Sequence, residues 1–210
     1  MGVMSNRLLV VASVLLAGAG NTVSAATPNY IMDVQLVPAV CSLHADFSKK
    51  RKCLEGYSLN IAGLYPEHPS GDCTTTSSAK LSPLQSKVVA RVMPDEQSRT
   101  LLWRNIGGCM PMNATQYFRN IINYAAHLKV PEELTGQENI VMPIESLRSK
   151  FLKINPGLPS HGVKFSCQKV AKGSLLTSIK ICYYHNGKYK QCPSNVINTC
   201  AHNVLIKGTY

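Results

Sequence analysis

Trp103-Arg104-Asn105-Ile106-Gly107-Gly108-Cys109 and Asn60-Ile61-Ala62-Gly63-Leu64-Tyr65-Pro66 are the two stretches on which the reading of this chain turns. Each combines glycine, an aromatic ring and a residue that constrains the backbone, cysteine in one and proline in the other. Such combinations mark close chain approaches and sharp ends of elements. Neither stretch contains a histidine or a carboxylate, so the groups that usually move protons in a site are absent.

The sequence around them bounds the class of protein. Arg7 precedes an apolar run from Leu8 to Gly20, and Val23-Ser24-Ala25 offers small residues where a signal peptidase reads. Residues 1–25 therefore read as an export signal, leaving Ala26–Tyr210 as a single domain. No later run approaches the roughly 20 apolar residues of a membrane span. All eight cysteines follow Ala25, and no CxxC pair occurs among them. That pattern predicts disulfides in a periplasmic or secreted protein rather than a metal site, and no cofactor is expected. The formal charge of +11 falls by one when Arg7 is removed. A basic exported protein attracts anions, nucleic acid among them.

Hydrophobic patterning supplies the elements. Tyr30–Val40 reads as a first strand and Tyr57–Leu64 as a second, with a basic loop from Ser42 to Lys52 between them. Ser70–Ser82 is polar and aperiodic, an exposed loop. Asn113 with Gln116 forms a capping-box pattern, and Tyr117, Phe118, Ile121, Ile122, Ala125 and Leu128 continue at helical spacing until Pro131. Asn113-Ala114-Thr115 is also a glycosylation sequon, relevant in a eukaryotic source. Pro143–Ile154 reads as another helix, with Ile144, Leu147 and Phe151 on one face, stopped by Asn155-Pro156-Gly157. Val163–Cys167 and Leu175–Tyr183 read as strands, and Asn186-Gly187 as a hairpin turn into Tyr189. The mixture lacks a βαβ rhythm and predicts an α+β fold with a largely antiparallel sheet and flanking helices.

In this order the motifs resemble the ribonuclease T-two family, bacterial periplasmic branch. Asn60–Pro66 is similar to the family's segment T-I-H-G-L-W-P, and Trp103–Cys109 to the end of H-E-W-x-K-H-G-T-C. The Tyr117-Phe118 pair, Asn155–Pro159 leading into Val163–Cys167, and Ile181-Cys182 before Gln191-Cys192-Pro193 agree with it. The resemblance implies a ribonuclease fold and the pairings Cys73–Cys109, Cys167–Cys200 and Cys182–Cys192, which leaves Cys41–Cys53 across the basic loop. It also implies where the chemistry should be. In such an enzyme one imidazole takes the ribose proton and another protonates the leaving oxygen, while a cation and a carboxyl group stabilise the phosphorane. By the resemblance the first segment's histidine falls on Ala62, and in the second segment the leading histidine falls on Leu101, the glutamate on Leu102, the lysine on Asn105 and the catalytic histidine on Ile106.

The resemblance thus implies a T-two-like protein without catalytic residues, retaining a binding role toward RNA, another polyanion or a protein partner. Residual binding is expected from Tyr65, His68, Lys80, Arg99, Trp103 and Arg104. Two other readings remain open at this point. An altered endoribonuclease would recruit His68 and Arg104. An inhibitor or immunity-type protein would present Leu101, Leu102 and Ile106 on an exposed apolar groove. The remaining histidines, His44, His127, His161, His185 and His202, have no metal-like spacing.

Overall fold

A computed structural model describes residues 1, 28–43, 46, 49–69 and 71–209. The segment read as an export signal, and His44, lie outside the described residues. Strand β1 (Tyr30–Leu36) leads into α1 (Val37–Leu43), the short α2 (Arg51–Leu54) and β2 (Leu59–Pro66). Helices α3 (Pro83–Val89), α4 (Glu96–Ile106) and α5 (Ala114–His127) follow. The chain closes with β3 (Ile140–Pro143), α6 (Ile144–Ile154), β4 (Val163–Val170), β5 (Gly173–Tyr183) and β6 (Asn203–Ile206). The sheet runs β2-β1-β5-β6-β3, with β4 on the other edge of β5. Every strand pair is antiparallel except the single Leu175↔Leu205 contact.

The α+β reading holds, and several boundaries move. The first strand ends at Leu36 rather than Val40. Pro38 sits in the first turn of α1, where its fixed φ suits a helix and its missing N–H costs nothing. The second strand is shifted by two residues to Leu59–Pro66. Helix α5 carries the capping box, with Asn113 accepting from the Gln116 N–H at 3.0 Å and Gln116 returning to the Asn113 N–H at 3.1 Å. It stops at His127, four residues before Pro131, which instead opens a short turn. Pro143 is the residue before α6 and the last of β3.

Alternation along β1 separates the two faces of the sheet. Tyr30, Met32, Val34 and Leu36 are buried, while Ile31, Asp33 and Gln35 are half-buried on the opposite face. Tyr117, Phe118 and Ile121 of α5 and Leu147 and Phe151 of α6 join the first face in one core. Each fully buried side chain of this kind is worth roughly 1.5–3 kcal/mol. Asn155, also buried, ends α6 and ties it to the end of α5. Its amide donates to the Lys129 carbonyl at 2.8 Å, and its oxygen accepts from the Lys129 N–H and the Tyr189 hydroxyl.

The outer edge of β4 is covered by residues 198–200. Asn198 accepts from the Phe165 N–H, and the Thr199 N–H donates to the Phe165 carbonyl. The disulfides are Cys41–Cys53, Cys73–Cys109, Cys167–Cys200 and Cys182–Cys192. Among the described residues no helix is long and apolar enough to cross a membrane.

Candidate functional site

Two local features aim side chains into one hollow. In the β1–β2 ladder Asp33 pairs with Gly63 and Val34 with Ile61. Ala62 is the extra residue of a bulge, which redirects it out of the regular alternation. In α4, Ser98, Leu101, Leu102, Asn105 and Ile106 follow the three-and-four spacing of one helical face. These residues, with Gln35, Lys52, Asn60, Ile61, Tyr65, Met93 and Asp95, line a cleft of about 310 Å³. The five residues that the sequence resemblance singled out, Ala62, Leu101, Leu102, Asn105 and Ile106, therefore meet in one cleft.

Gly63 sets its wall. A Cβ there would lie 2.9 Å from the Tyr65 ring and 3.0 Å from Leu102 Cδ1, so only glycine lets these two side chains close over the strand.

The cleft is partly filled. Leu102 and Ile106 are each 8% exposed, turned into the core, whereas Leu101 at the lip is 54% exposed. Asn105 is exposed and Ala62 half-buried. The opposite end is polar. Lys52 Nζ donates to Gln35 Oε1 at 2.8 Å, and Asn60 Nδ2 donates to the same oxygen at 3.4 Å. Burial pushes the Lys52 ammonium below its ordinary pKa, against the attraction of Asp95. Burial, then the Asp33 charge, pushes the Tyr65 phenol up. No histidine lines the cleft, and no metal-binding group of three or more His, Cys, Asp or Glu occurs among the described residues. The arrangement offers hydrogen bonds, apolar surface, one ammonium and one carboxylate, Asp95, but no imidazole pair.

The other expected binding residues scatter. Trp103 is buried, its ring 5.5 Å from that of Tyr117 and its Nε1–H donating to Ser77 Oγ at 3.0 Å, so it is framework. His68 is exposed and lies outside the cleft lining. Lys80 is exposed, with its N–H on Ser78 Oγ. Arg104 lines a neighbouring hollow of about 900 Å³ with Thr74–Ala79 and Thr100, joined to the cleft through Asn105.

Arg99 departs from expectation altogether. It is 5% exposed, and its guanidinium donates to the Met93 carbonyl at 2.5 Å, the Pro94 carbonyl at 3.3 Å and Ser86 Oγ at 3.3 Å. It braces the turn between α3 and α4 because those buried carbonyls need a donor, and it carries no surface charge to a ligand. The sequence reading missed Gln35, Lys52, Asn60, Met93, Asp95 and Ser98. The available signal was the helical spacing of Ser98 with Leu101, Leu102, Asn105 and Ile106.

Beyond the first motif, Glu67 pairs with Lys190, whose ammonium also lies 5.8 Å from the centre of the Tyr184 ring. Burial pushes the Glu67 carboxyl up, but hydrogen bonds from Lys190 and Asn29 outweigh it and hold it below its ordinary 4.5. A carboxylate lowered in the folded state stabilises above its unfolded pKa, and that stability is lost as pH falls through the folded value. Glu67→Gln should cost about 2 kcal/mol at neutral pH. Below 4.5 the parent should lose melting temperature more steeply than the variant. Parallel melting curves down the acid range would remove this pair from the acid response.

No family sequence model matches the chain, and no curated protein matches it in sequence. Solved structures do match. RNase MC1 from bitter gourd seeds superposes with a TM-score of 0.64 at 19% identity, over 84% of this chain and 98% of that one. The self-incompatibility-associated SF11-RNase of Nicotiana alata gives 0.65 at 16% identity, over 86% and 99%. The S3-RNase of Japanese pear gives 0.61 at 17%, over 87% and 100%. What the chain shares with these T-two ribonucleases is the fold.

Proposed function

We propose that this protein is a catalytically inactive relative of the T-two ribonucleases, exported as the single domain Ala26–Tyr210, that binds RNA without cutting it. One observation carries the reading. The positions matched to three histidines, a glutamate and a lysine of the family motifs converge on one cleft, and they are Ala62, Leu101, Ile106, Leu102 and Asn105. A cleft of that origin keeps its shape and hydrogen-bonding groups while the imidazoles that would transfer the protons are gone. The leader-like segment and four disulfides support export to the periplasm or beyond the cell.

The competing readings lose their support in the geometry. Recruitment of His68 needs it at the cleft, and it lies outside the lining. An apolar docking groove needs Leu101, Leu102 and Ile106 exposed together, and two of the three are buried.

Titration of a short fluorescein-labelled oligouridylate, followed by anisotropy, tests the proposal. Saturable, salt-sensitive binding is expected, with the oligonucleotide intact on a denaturing gel afterwards. A flat titration at low salt would exclude RNA as the ligand.

A further inference from the structure

The face of the sheet opposite the core carries a run of polar residues that leads into the cleft. Tyr65 and Gln35 line the cleft, and Asp33 lies between them on β1 and β2, close enough to raise the Tyr65 phenol. From Asp33 the ladder passes to Lys180 on β5 and then to Lys164 on β4, each registered with the next. Registered cross-strand residues point to the same face. In the adjacent row Gln35 is followed by Ser178 and Ser166. Lys164, Ser166, Ser178 and Lys180 are all half-buried, each keeping part of its surface open to solvent.

Two lysines placed directly opposite each other on paired strands repel, and sheets ordinarily avoid the arrangement. Here neither ammonium lies within ion-pair distance of a carboxylate among the described residues. Asp33, registered with Lys180, supplies compensating charge. Burial raises its pKa, with the Lys180 charge and the Ser178 hydroxyl opposing, and its Oδ1 is buried without a hydrogen-bond partner. One carboxylate balances one lysine at most, so the row keeps an excess of positive charge beside hydroxyl donors. The distance from β2 to β4 is three strand spacings, roughly 14 Å. Lys52 supplies positive charge at the cleft end.

We propose that Lys164 and Lys180 form a phosphate-binding step on the open sheet face, holding the backbone of a single-stranded RNA whose adjoining nucleotides lie in the cleft. The proposal rests on the RNA-binding reading above and gives the strand its direction, out of the cleft across β1 and β5 toward β4.

The test is the salt dependence of oligouridylate binding by the parent, the Lys164→Gln/Lys180→Gln variant, the Lys164→Arg/Lys180→Arg variant and a distant control, Lys87→Gln. Each single-strand phosphate neutralised contributes about 0.7 to the slope of log affinity against log salt. The double glutamine variant should therefore lose about 1.4 of that slope, while the arginine variant and the control keep it. Thermal melts check that all four proteins fold. Parent-like slope in a folded double glutamine variant overturns the site and leaves RNA binding at the cleft standing. If the parent ignores RNA but binds heparin with a lysine-dependent slope, the RNA reading falls and the anion site stands. Binding of neither probe overturns both.

Discussion

Assayed with single-stranded RNA from about pH 4 to 8, the protein is expected to release product at least about 10⁴-fold more slowly than bitter gourd RNase MC1 under the same conditions. The estimate starts from the loss of a single acid–base group, which typically costs 10²–10⁴ in rate. Loss of a group that stabilises transition-state charge costs about 10²–10³ more. These effects do not add, because groups acting as a unit fail as a unit, so the larger single loss serves as the lower bound.

The cleft offers no imidazole pair, and its one carboxylate, Asp95, accepts from the Arg51 N–H at 2.8 Å. Ala62 and Ile106 cannot exchange protons, and Asn105 donates a hydrogen bond without charge. Lys52 is engaged with Gln35. The pH profile should be flat, since a bell-shaped profile needs both an acid and a base to titrate. Trace ribonuclease in a preparation is the main confounder. Turnover that disappears with His68→Ala would belong to this protein and would sink the inactive reading.

Gly108→Ala is expected to destabilise the fold by about 3 kcal/mol, lowering the melting temperature by roughly 6–12 °C. A Cβ at this position would lie 2.5 Å from the Thr74 carbonyl oxygen and 3.0 Å from the Cys73 carbonyl carbon. Both are backbone atoms, and that backbone is pinned. The Gly108 N–H donates to the Cys73 carbonyl at 2.8 Å, and the Thr75 N–H donates to the Arg104 carbonyl at 2.8 Å. The Cys73–Cys109 disulfide holds the same two strands of chain with Cα atoms 4.7 Å apart.

The loop therefore cannot yield as a flexible side chain would. Displacing it disturbs the hollow beside the cleft and the Trp103–Ser77 hydrogen bond. Gly136→Ala is the matched control, because the nearest atom to its Cβ is 3.8 Å away. A Gly108→Ala protein melting within a degree or two of the parent would refute the steric argument.

The contrast between α5 and α4 explains why some elements were legible. Helix α5 has a capping box and an apolar stripe facing the core, so its start could be read to the residue. Helix α4 turns Ser98 and Asn105 toward a cleft, which breaks the apolar stripe that marks a helix. Helix α3 has only Val89 buried. Strands β3 and β6 are four residues each and pair with each other across a long separation in sequence, and neither carries enough pattern alone.

Local chemistry was thus written in the sequence. The turn residues, the caps, the cysteines and the residue types at the would-be catalytic positions are all properties of neighbours along the chain. Tertiary structure alone decided which charges are free. Arg99 and Arg104 are five residues apart on one helix, yet one is buried against main-chain carbonyls and the other is exposed. Lys164 and Lys180 are sixteen positions apart in sequence and directly opposite in the sheet. Burial and cross-strand register arise from packing between distant segments, so no local pattern could report them.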